Sequence, residues 1–145
     1  MTGPGQVLFG FVRHWSRRTA PGDAELDQGR LVLVGETVHA LGRRGVPATV
    51  NAIAHEIGID QSGASRLVRS ATAAGYLVLA ASGADARRRE ASLTPAGRTM
   101  LDRAHRWQEE VFGRLTTGWS ERRRREFQQA MTDLMDRSHA MDPYR

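Results

Sequence analysis

Residues 49–74 contain two short helical patterns separated by only three residues, and this spacing limits the fold more than any other part of the chain. Thr49 can cap a first helix that ends at Gly58. Asp60 can cap a second helix, which continues to Gly75. Two helices joined by so short a turn are typical of a helix-turn-helix.

The second of these helices has one apolar face and one polar face. Ala64, Leu67, Val68 and Ala71 recur at helical spacing, so we expect this face to pack against the rest of the domain. The opposite face is free to contact a partner. It consists of Gln61, Ser62, Ser65, Arg66 and Arg69.

A β-hairpin is predicted directly after the helix-turn-helix. Tyr76–Ala80 has the composition of a strand, Ser82–Ala86 that of a loop, and a basic return strand ends near Leu93. A helix-turn-helix followed by a basic hairpin is a winged-helix arrangement. Such an arrangement is typical of proteins that recognise nucleic acid by its shape and charge.

The polar face and the hairpin suggest different contacts with double-stranded DNA. An α-helix fits the major groove, where Arg can bond to guanine and Gln to adenine, while Ser more often binds a phosphate. We predict the five polar residues as one contact set, without individual roles. In the hairpin, Asp85 could orient Arg87 towards a narrow minor groove, and Arg88 and Arg89 could add phosphate contacts.

Helical patterns flank the winged helix on both sides. Apolar residues at helical spacing predict one helix around Leu8 to Trp15 and another around Leu31 to Leu41. Thr94 followed by proline predicts the start of a long helix, and Ser120 can cap a last one. The predicted fold is therefore mainly α with a small β-hairpin wing, a winged helix-turn-helix carrying N- and C-terminal dimerisation helices.

Net positive charge is concentrated in the predicted DNA-binding lobe. All 21 basic residues are arginines, and the formal net charge is +5. We divide the chain into N-terminal helices (1–42), a winged lobe (43–98) and C-terminal helices (99–145), all in one structural unit. The winged lobe has eight Arg and four acids, hence +4, whereas the flanking parts have 0 and +1.

Several other classes of function lack the residues they need. The absence of Cys excludes disulfide scaffolds, thiol nucleophiles and thiolate zinc sites. His55-Glu56 resembles the start of a zinc-protease motif, but Ile59 stands at the second ligand position, so no metal site and no cofactor are predicted. With no catalytic constellation, we expect no enzyme. With no membrane span or leader, we expect a cytoplasmic protein.

The chain resembles the MarR family of bacterial transcription regulators. The resemblance is carried by Ala54, Gly58, Ser65-Arg66-Leu67-Val68, Gly75, Asp85-Ala86-Arg87 and Leu93-Thr94-Pro95-Ala96-Gly97. Glu90 departs from it, because the family usually has an aliphatic wing residue there. The resemblance implies a homodimer with interlocked terminal helices, whose two lobes bind adjacent half-sites of a pseudo-palindromic operator, with repression as the expected effect.

The resemblance also implies a small aromatic or anionic effector bound between the dimer helices and the winged lobe. Five residues are candidates by their chemistry. They are His14, Trp15, Arg18, His39 and His105. The alternative, which the pattern favours, is that Trp15 belongs to the apolar stripe of its helix and that the histidines are satisfied or exposed polar side chains. Two other classes stay open: a winged-helix module that binds proteins without sequence-specific DNA binding, and a small-molecule carrier or enzyme.

Overall fold

The computed structural model of the chain describes residues 1–16, 18, 26–82 and 85–142, with the backbone alone for residues 26–28, 82, 85 and 86. Within this part the chain forms six helices and one two-stranded antiparallel sheet, which confirms the predicted fold class. In chain order the elements are α1 (Pro4–Trp15), α2 (Leu26–Arg43), α3 (Val50–Ile57), α4 (Gln61–Ala73), β1 (Leu77–Ser82), β2 (Asp85–Leu93), α5 (Pro95–Leu115) and α6 (Glu121–Ala140).

The polar and glycine residues predicted to bound the helices do so. The Thr49 hydroxyl accepts a hydrogen bond from the Ala52 amide at 3.1 Å and starts α3. Gly58 ends the same helix with φ at 80°, a left-handed conformation that other residues seldom adopt. The three-residue turn from Gly58 to Asp60 is therefore fixed by its own local chemistry.

The structure divides into two compact units, residues 1–107 and 108–145. In the first unit, α2, α3, α4 and the hairpin pack around one hydrophobic core. Val34, Ile53 and Val68 are its fully buried large side chains. The predicted boundaries at residues 42 and 98 separate parts of the chain by their expected function, not by how compactly they pack. They stay a prediction.

An ion pair joins the end of α2 to α3. The Arg44 Nη2 atom lies 2.7 Å from Glu56 Oε2, and Arg44 Nη1 donates a second bond at 2.9 Å to Glu56 Oε1. Hydrogen bonding to Glu56 raises the pKa of Arg44 above its ordinary value. This bidentate contact stabilises the position of the helix-turn-helix on α2.

The first helix is longer than predicted and contributes no buried residue. It begins at Pro4, inside the glycine- and proline-rich start, because proline is favoured in the first turn of a helix. Phe9 is 68% exposed and Phe11 50%. Trp15 is half-buried and contacts the Trp107 ring at 6.1 Å between centroids, so it lies beside the core rather than in it.

The hairpin has an irregular end. Regular pairing runs from Leu77 opposite Leu93 to Ala81 opposite Arg89, and the next pair is Ser82 opposite Asp85. Residues 86–88 therefore have no register partner on β1. The predicted loop Ser82–Ala86 is wrong in its bounds, since Ser82, Asp85 and Ala86 belong to strands; Gly83 and Ala84 lie outside the described residues.

The second unit is organised around aromatic contacts. The Phe127 ring stacks on Phe112 at 6.1 Å and meets Trp119 edge-on at 5.5 Å. The Arg123 guanidinium lies over the Trp119 ring, 4.1 Å from its centre. Across the described residues of both units, no helix is sufficiently long and apolar to cross a bilayer.

Candidate nucleic-acid interface

Helix α4 is held with one face buried and the other open. The Asp60 carboxylate caps it by accepting a hydrogen bond from the Gly63 amide at 2.9 Å. Ala64, Val68 and Ala71 are buried in the core of the first unit. These contacts fix the rotation of the helix about its axis, so the opposite face is presented outwards.

Four of the five predicted α4 residues lie on this open face, and the fifth differs. Gln61, Ser62, Arg66 and Arg69 are exposed. Ser65 is half-buried because it adjoins the packed side of the helix, next to Ala64 and one turn before Val68. Its role as a DNA contact stays a prediction.

The open face carries two guanidinium groups. The Arg66 Nε atom lies 3.5 Å from the Ser62 carbonyl oxygen, one turn earlier, so its side chain runs back along the helix. Arg69 follows Arg66 by three residues and lies on a neighbouring strip of the surface. Together they place two positive charges on the outward face of α4.

The wing presents three consecutive exposed arginines. Arg89 lies opposite Ala81 in the regular ladder, whereas Arg87 and Arg88 lie in the segment without a register partner. Side chains alternate between faces only in a regular strand. Strand alternation therefore does not place Asp85 and Arg87 on one face here. The Asp85 side chain is outside the described atoms, so that pair stays a prediction.

The base of the wing is tied to three neighbouring segments. The Ala91 amide donates to the Ala48 carbonyl at 2.9 Å, which adds the segment before α3 to the edge of the hairpin. The Thr94 hydroxyl donates to the Gly75 carbonyl at 2.5 Å and accepts from the Gly97 amide at 3.0 Å. The Thr94 amide also donates to the Tyr76 carbonyl at 3.0 Å. These bonds fix the wing relative to α4.

The predicted effector residues separate into two groups. His14 and Trp15 lie on α1 with their rings in edge contact at 5.2 Å, and the Arg18 side chain donates to the His14 carbonyl. His39 on α2 and His105 on α5 form the second group, with ring centres 6.1 Å apart. These contacts group the candidates but do not test an effector site, which stays a prediction.

His105 is also joined to a carboxylate that the sequence analysis did not single out. Its Nε2 atom lies 2.7 Å from Glu36 Oε1, a buried oxygen. The contact stabilises the carboxylate only when His105 Nε2 carries a proton. Glu36 and His39 are three residues apart on α2, a spacing that could have indicated a shared face.

A cleft of about 610 Å³ opens beside the second group, between the end of α2, strand β2 and the start of α5. Its lining includes both histidines and four further ionisable residues that sequence reasoning did not assign to an effector. These are Arg43, Glu90, Arg98 and Asp102. The departure at Glu90 has a physical reason here, since the residue is half-buried and lines a cleft that is open to solvent.

Known proteins resemble this chain both in sequence, through a family model, and in fold, through solved structures. The model of the MarR family matches residues 36–88, from the second half of α2 into the wing. No curated protein is matched. Among solved structures, SlyA, a transcriptional regulator, is similar with a TM-score of 0.68 at 14% identity, covering 94% of each chain.

Two further solved structures are similar over nearly the whole chain. The MepR–DNA complex of S. aureus has a TM-score of 0.60 at 16% identity, with 92% of this chain and 95% of that chain covered. BpsR of Bordetella bronchiseptica, whose DNA binding is regulated by 6-hydroxynicotinic acid, has a TM-score of 0.62 at 16% identity, covering 90% and 97%. The predicted resemblance to the MarR family is confirmed.

Proposed function

We propose that the protein is a transcription regulator that binds double-stranded DNA, from the premise that the MarR family model matches residues 36–88 of this chain. It binds a pseudo-palindromic operator as a homodimer and represses transcription by occupying it. The observation that carries the proposal is the open face of α4, with Arg66 and Arg69 exposed while the opposite face is buried.

The geometry of α4 suits the major groove of B-DNA. A helix with its side chains is about 10–12 Å across and the groove is about 12 Å wide. In this proposal Arg66, Arg69 and Gln61 contact base edges or phosphates, and the arginines at 87–89 contact the minor groove and its phosphates. Ser65, being half-buried, contributes less than the sequence suggested.

Exposed apolar side chains on two terminal helices support the homodimer. On α1, Val7, Phe9, Phe11 and Val12 are at least half exposed. On α6, Leu134 is 45% exposed and Met135 52%, and the helix has no buried residue. Such surfaces are costly in water and typical of subunit interfaces. A twofold dimer would place two copies of α4 about 34 Å apart, in successive major grooves.

In this proposal a small anionic effector binds in the cleft beside His39 and His105 and controls DNA binding. Its charged lining offers cations to a carboxylate from Arg43, Arg98 and either histidine. BpsR, whose DNA binding responds to an aromatic acid, is a precedent for this kind of control. The effector would release DNA by binding the operator-incompetent arrangement of the lobes more tightly.

A salt titration on a duplex of random sequence tests the DNA-binding function directly. Phosphate contacts release counterions, so affinity is expected to fall steeply, with log K linear in log salt. Fluorescence anisotropy of a labelled duplex measures this slope. A chain that ignores duplex DNA at low ionic strength would contradict the proposal and favour a winged-helix module for protein partners.

Replacing Arg87 with alanine tests the wing. We expect the affinity for A·T-flanked duplexes to fall by about 1–3 kcal/mol, because a guanidinium in a narrow minor groove meets concentrated negative potential. The loss should be smaller on G·C-flanked duplexes of equal length. Equal losses on both would assign Arg87 to a phosphate contact and contradict its role as a minor-groove reader.

A further inference from the structure

The outer edge of strand β1 is a surface that the predicted DNA contacts do not use. Strand β2 pairs with β1 on one side, and on its other side the Ala91 amide donates to the Ala48 carbonyl at 2.9 Å. The second edge of the hairpin, along Leu77–Ala81 of β1, has no strand beside it in the described part of the chain. We call it the free edge.

The pairing of the hairpin shows which backbone groups point to the free edge. In an antiparallel ladder, pairs that exchange hydrogen bonds alternate with pairs whose N–H and C=O groups point outwards. Ala91 directs its amide away from β1, so its partner Leu79 directs its own amide and carbonyl away from β2. Ala81, two residues later, does the same. Among the residues that the structure describes, none is hydrogen-bonded to these four groups.

The free edge lacks the features that usually prevent a further strand from pairing. Strand β1 contains no proline and no charged residue. Val78, on the face turned away from the core, is 49% exposed, and Ala81 is exposed as well. An open, uncharged edge of this kind is a template for an extended segment of another chain.

The charge beside the free edge favours an acidic partner. Arg89 is exposed and lies opposite Ala81, so the two side chains share one face of the hairpin. An added strand would lie about 4.8 Å beyond Ala81. The small alanine side chain leaves room for Arg89 to meet a carboxylate on that strand. A second copy of the wing would instead bring its own arginines towards those at 87–89.

We propose that the free edge binds an extended acidic segment of a partner protein, which adds an antiparallel strand to the wing. Leu79 and Ala81 exchange backbone hydrogen bonds with this segment. An aliphatic side chain covers Val78, and a carboxylate three residues earlier in the segment pairs with Arg89. The inference goes beyond the proposed function, because the backbone groups of β1 lie outside the predicted DNA contacts.

The labelled peptide Thr-Glu-Thr-Val-Val-Thr is a suitable probe, with its glutamate opposite Ala81 and its second valine opposite Val78. Fluorescence anisotropy measures its binding to the full chain without DNA, and NMR follows the backbone amides. We expect the Leu79 and Ala81 amides to shift and to exchange more slowly with deuterium. Shifts confined to other residues would overturn the proposal.

Backbone methylation of the peptide provides a matched pair of controls. A methyl group on the nitrogen of the first valine should abolish binding, because this nitrogen donates to the Leu79 carbonyl. The same methyl group on the nitrogen of the third residue should leave binding intact, because that N–H points away from β1. Equal effects of the two methyl groups would contradict strand addition at the free edge.

Ala81→Pro tests the free edge from the side of the protein. Proline removes an N–H that is not bonded to β2, so an edge strand can accommodate it. We expect about a fivefold loss of peptide affinity, which corresponds to one backbone hydrogen bond. Ala81→Val keeps the N–H and should bind the peptide as the wild type does. Wild-type affinity in Ala81→Pro would overturn the proposal.

Arg89→Ala tests the acidic character of the partner. The variant should bind the glutamate peptide about threefold more weakly, whereas its affinity for the glutamine analogue should match that of the wild type. Equal losses for both peptides would remove Arg89 from the site and overturn the choice of an acidic partner.

The remaining outcomes separate this inference from the proposed function and from self-association. Duplex binding without peptide binding would overturn the inference and leave the function standing. Peptide binding without duplex binding would do the reverse. If Ala81→Pro changes the oligomeric state measured by light scattering, the free edge is an interface between copies of this chain, and the assignment to a partner protein is overturned.

Discussion

Replacing Gly97 with alanine is expected to lower the free energy of unfolding by about 3 kcal/mol. A Cβ atom at this position would lie 2.2 Å from the Tyr76 carbonyl oxygen and 3.1 Å from Leu93 Cδ2. The Tyr76 oxygen cannot move away cheaply, because it accepts the hydrogen bond from the Thr94 amide. The clash therefore strains the backbone where α4, the wing and α5 meet. Urea denaturation measures the resulting loss in the free energy of unfolding.

Gly113→Ala is the matched control. Gly113 also lies in α5, and no described atom lies within 4 Å of a Cβ built there. Alanine is a better helix former than glycine by about 1 kcal/mol, so this variant should be as stable as the wild type or more stable. A Gly97→Ala chain with wild-type stability would contradict the close packing of α5 on the wing base.

Removing both arginines from the open face of α4 is expected to cost the largest share of DNA affinity. The double variant Arg66→Ala/Arg69→Ala should bind a selected operator more weakly by about 2–6 kcal/mol, at about 1–3 kcal/mol for each lost contact. Losing a base contact weakens binding only on sequences that carry the matching base. The loss should therefore be larger on the operator than on random duplex, as measured by anisotropy at fixed salt.

Arg122→Ala/Arg125→Ala removes the same charge from α6 and serves as the control. Both side chains are exposed and pair with acids of the same helix, Arg122 with Glu126 at 2.8 Å and Arg125 with Glu121 at 3.6 Å. They lie outside the predicted contact set. We expect operator affinity to stay close to wild type. An equal loss in the two double variants would mean that DNA responds to net charge alone.

The helix ends of the winged lobe could be predicted from the sequence because each depends on local chemistry. Thr49, Gly58 and Asp60 act within one turn of their own position, through a hydroxyl, a left-handed backbone and a carboxylate. The open face of α4 could be predicted for the same reason, since helical periodicity alone separates Arg66 from Val68. Local signals of this kind do not need tertiary contacts.

Features that depend on distant parts of the chain were missed. The hydrogen bond from Ala91 to Ala48 joins residues far apart in sequence, and alanine gives no signal for it. The contact between His105 and Glu36 arises only when α5 packs on α2.

The wing shows the limit of strand periodicity. Alternation predicts which residues share a face only while the register is regular, and here it breaks between Ala81 and Ser82. Ser65 shows the corresponding limit for helices, because a residue at the edge of the apolar stripe is neither clearly inside nor outside. Both cases concern side-chain placement within elements that were correctly identified.

Selection of bound duplexes from a random library, followed by sequencing, tests DNA recognition by the paired lobes most directly. We predict enrichment of an inverted repeat whose half-sites are centred about 10 base pairs apart, matching two copies of α4 related by a twofold axis. The enrichment should be lost in Arg66→Ala/Arg69→Ala and kept in Arg122→Ala/Arg125→Ala. Recovery of sequences with no shared motif and no symmetry, at low ionic strength, would contradict the account.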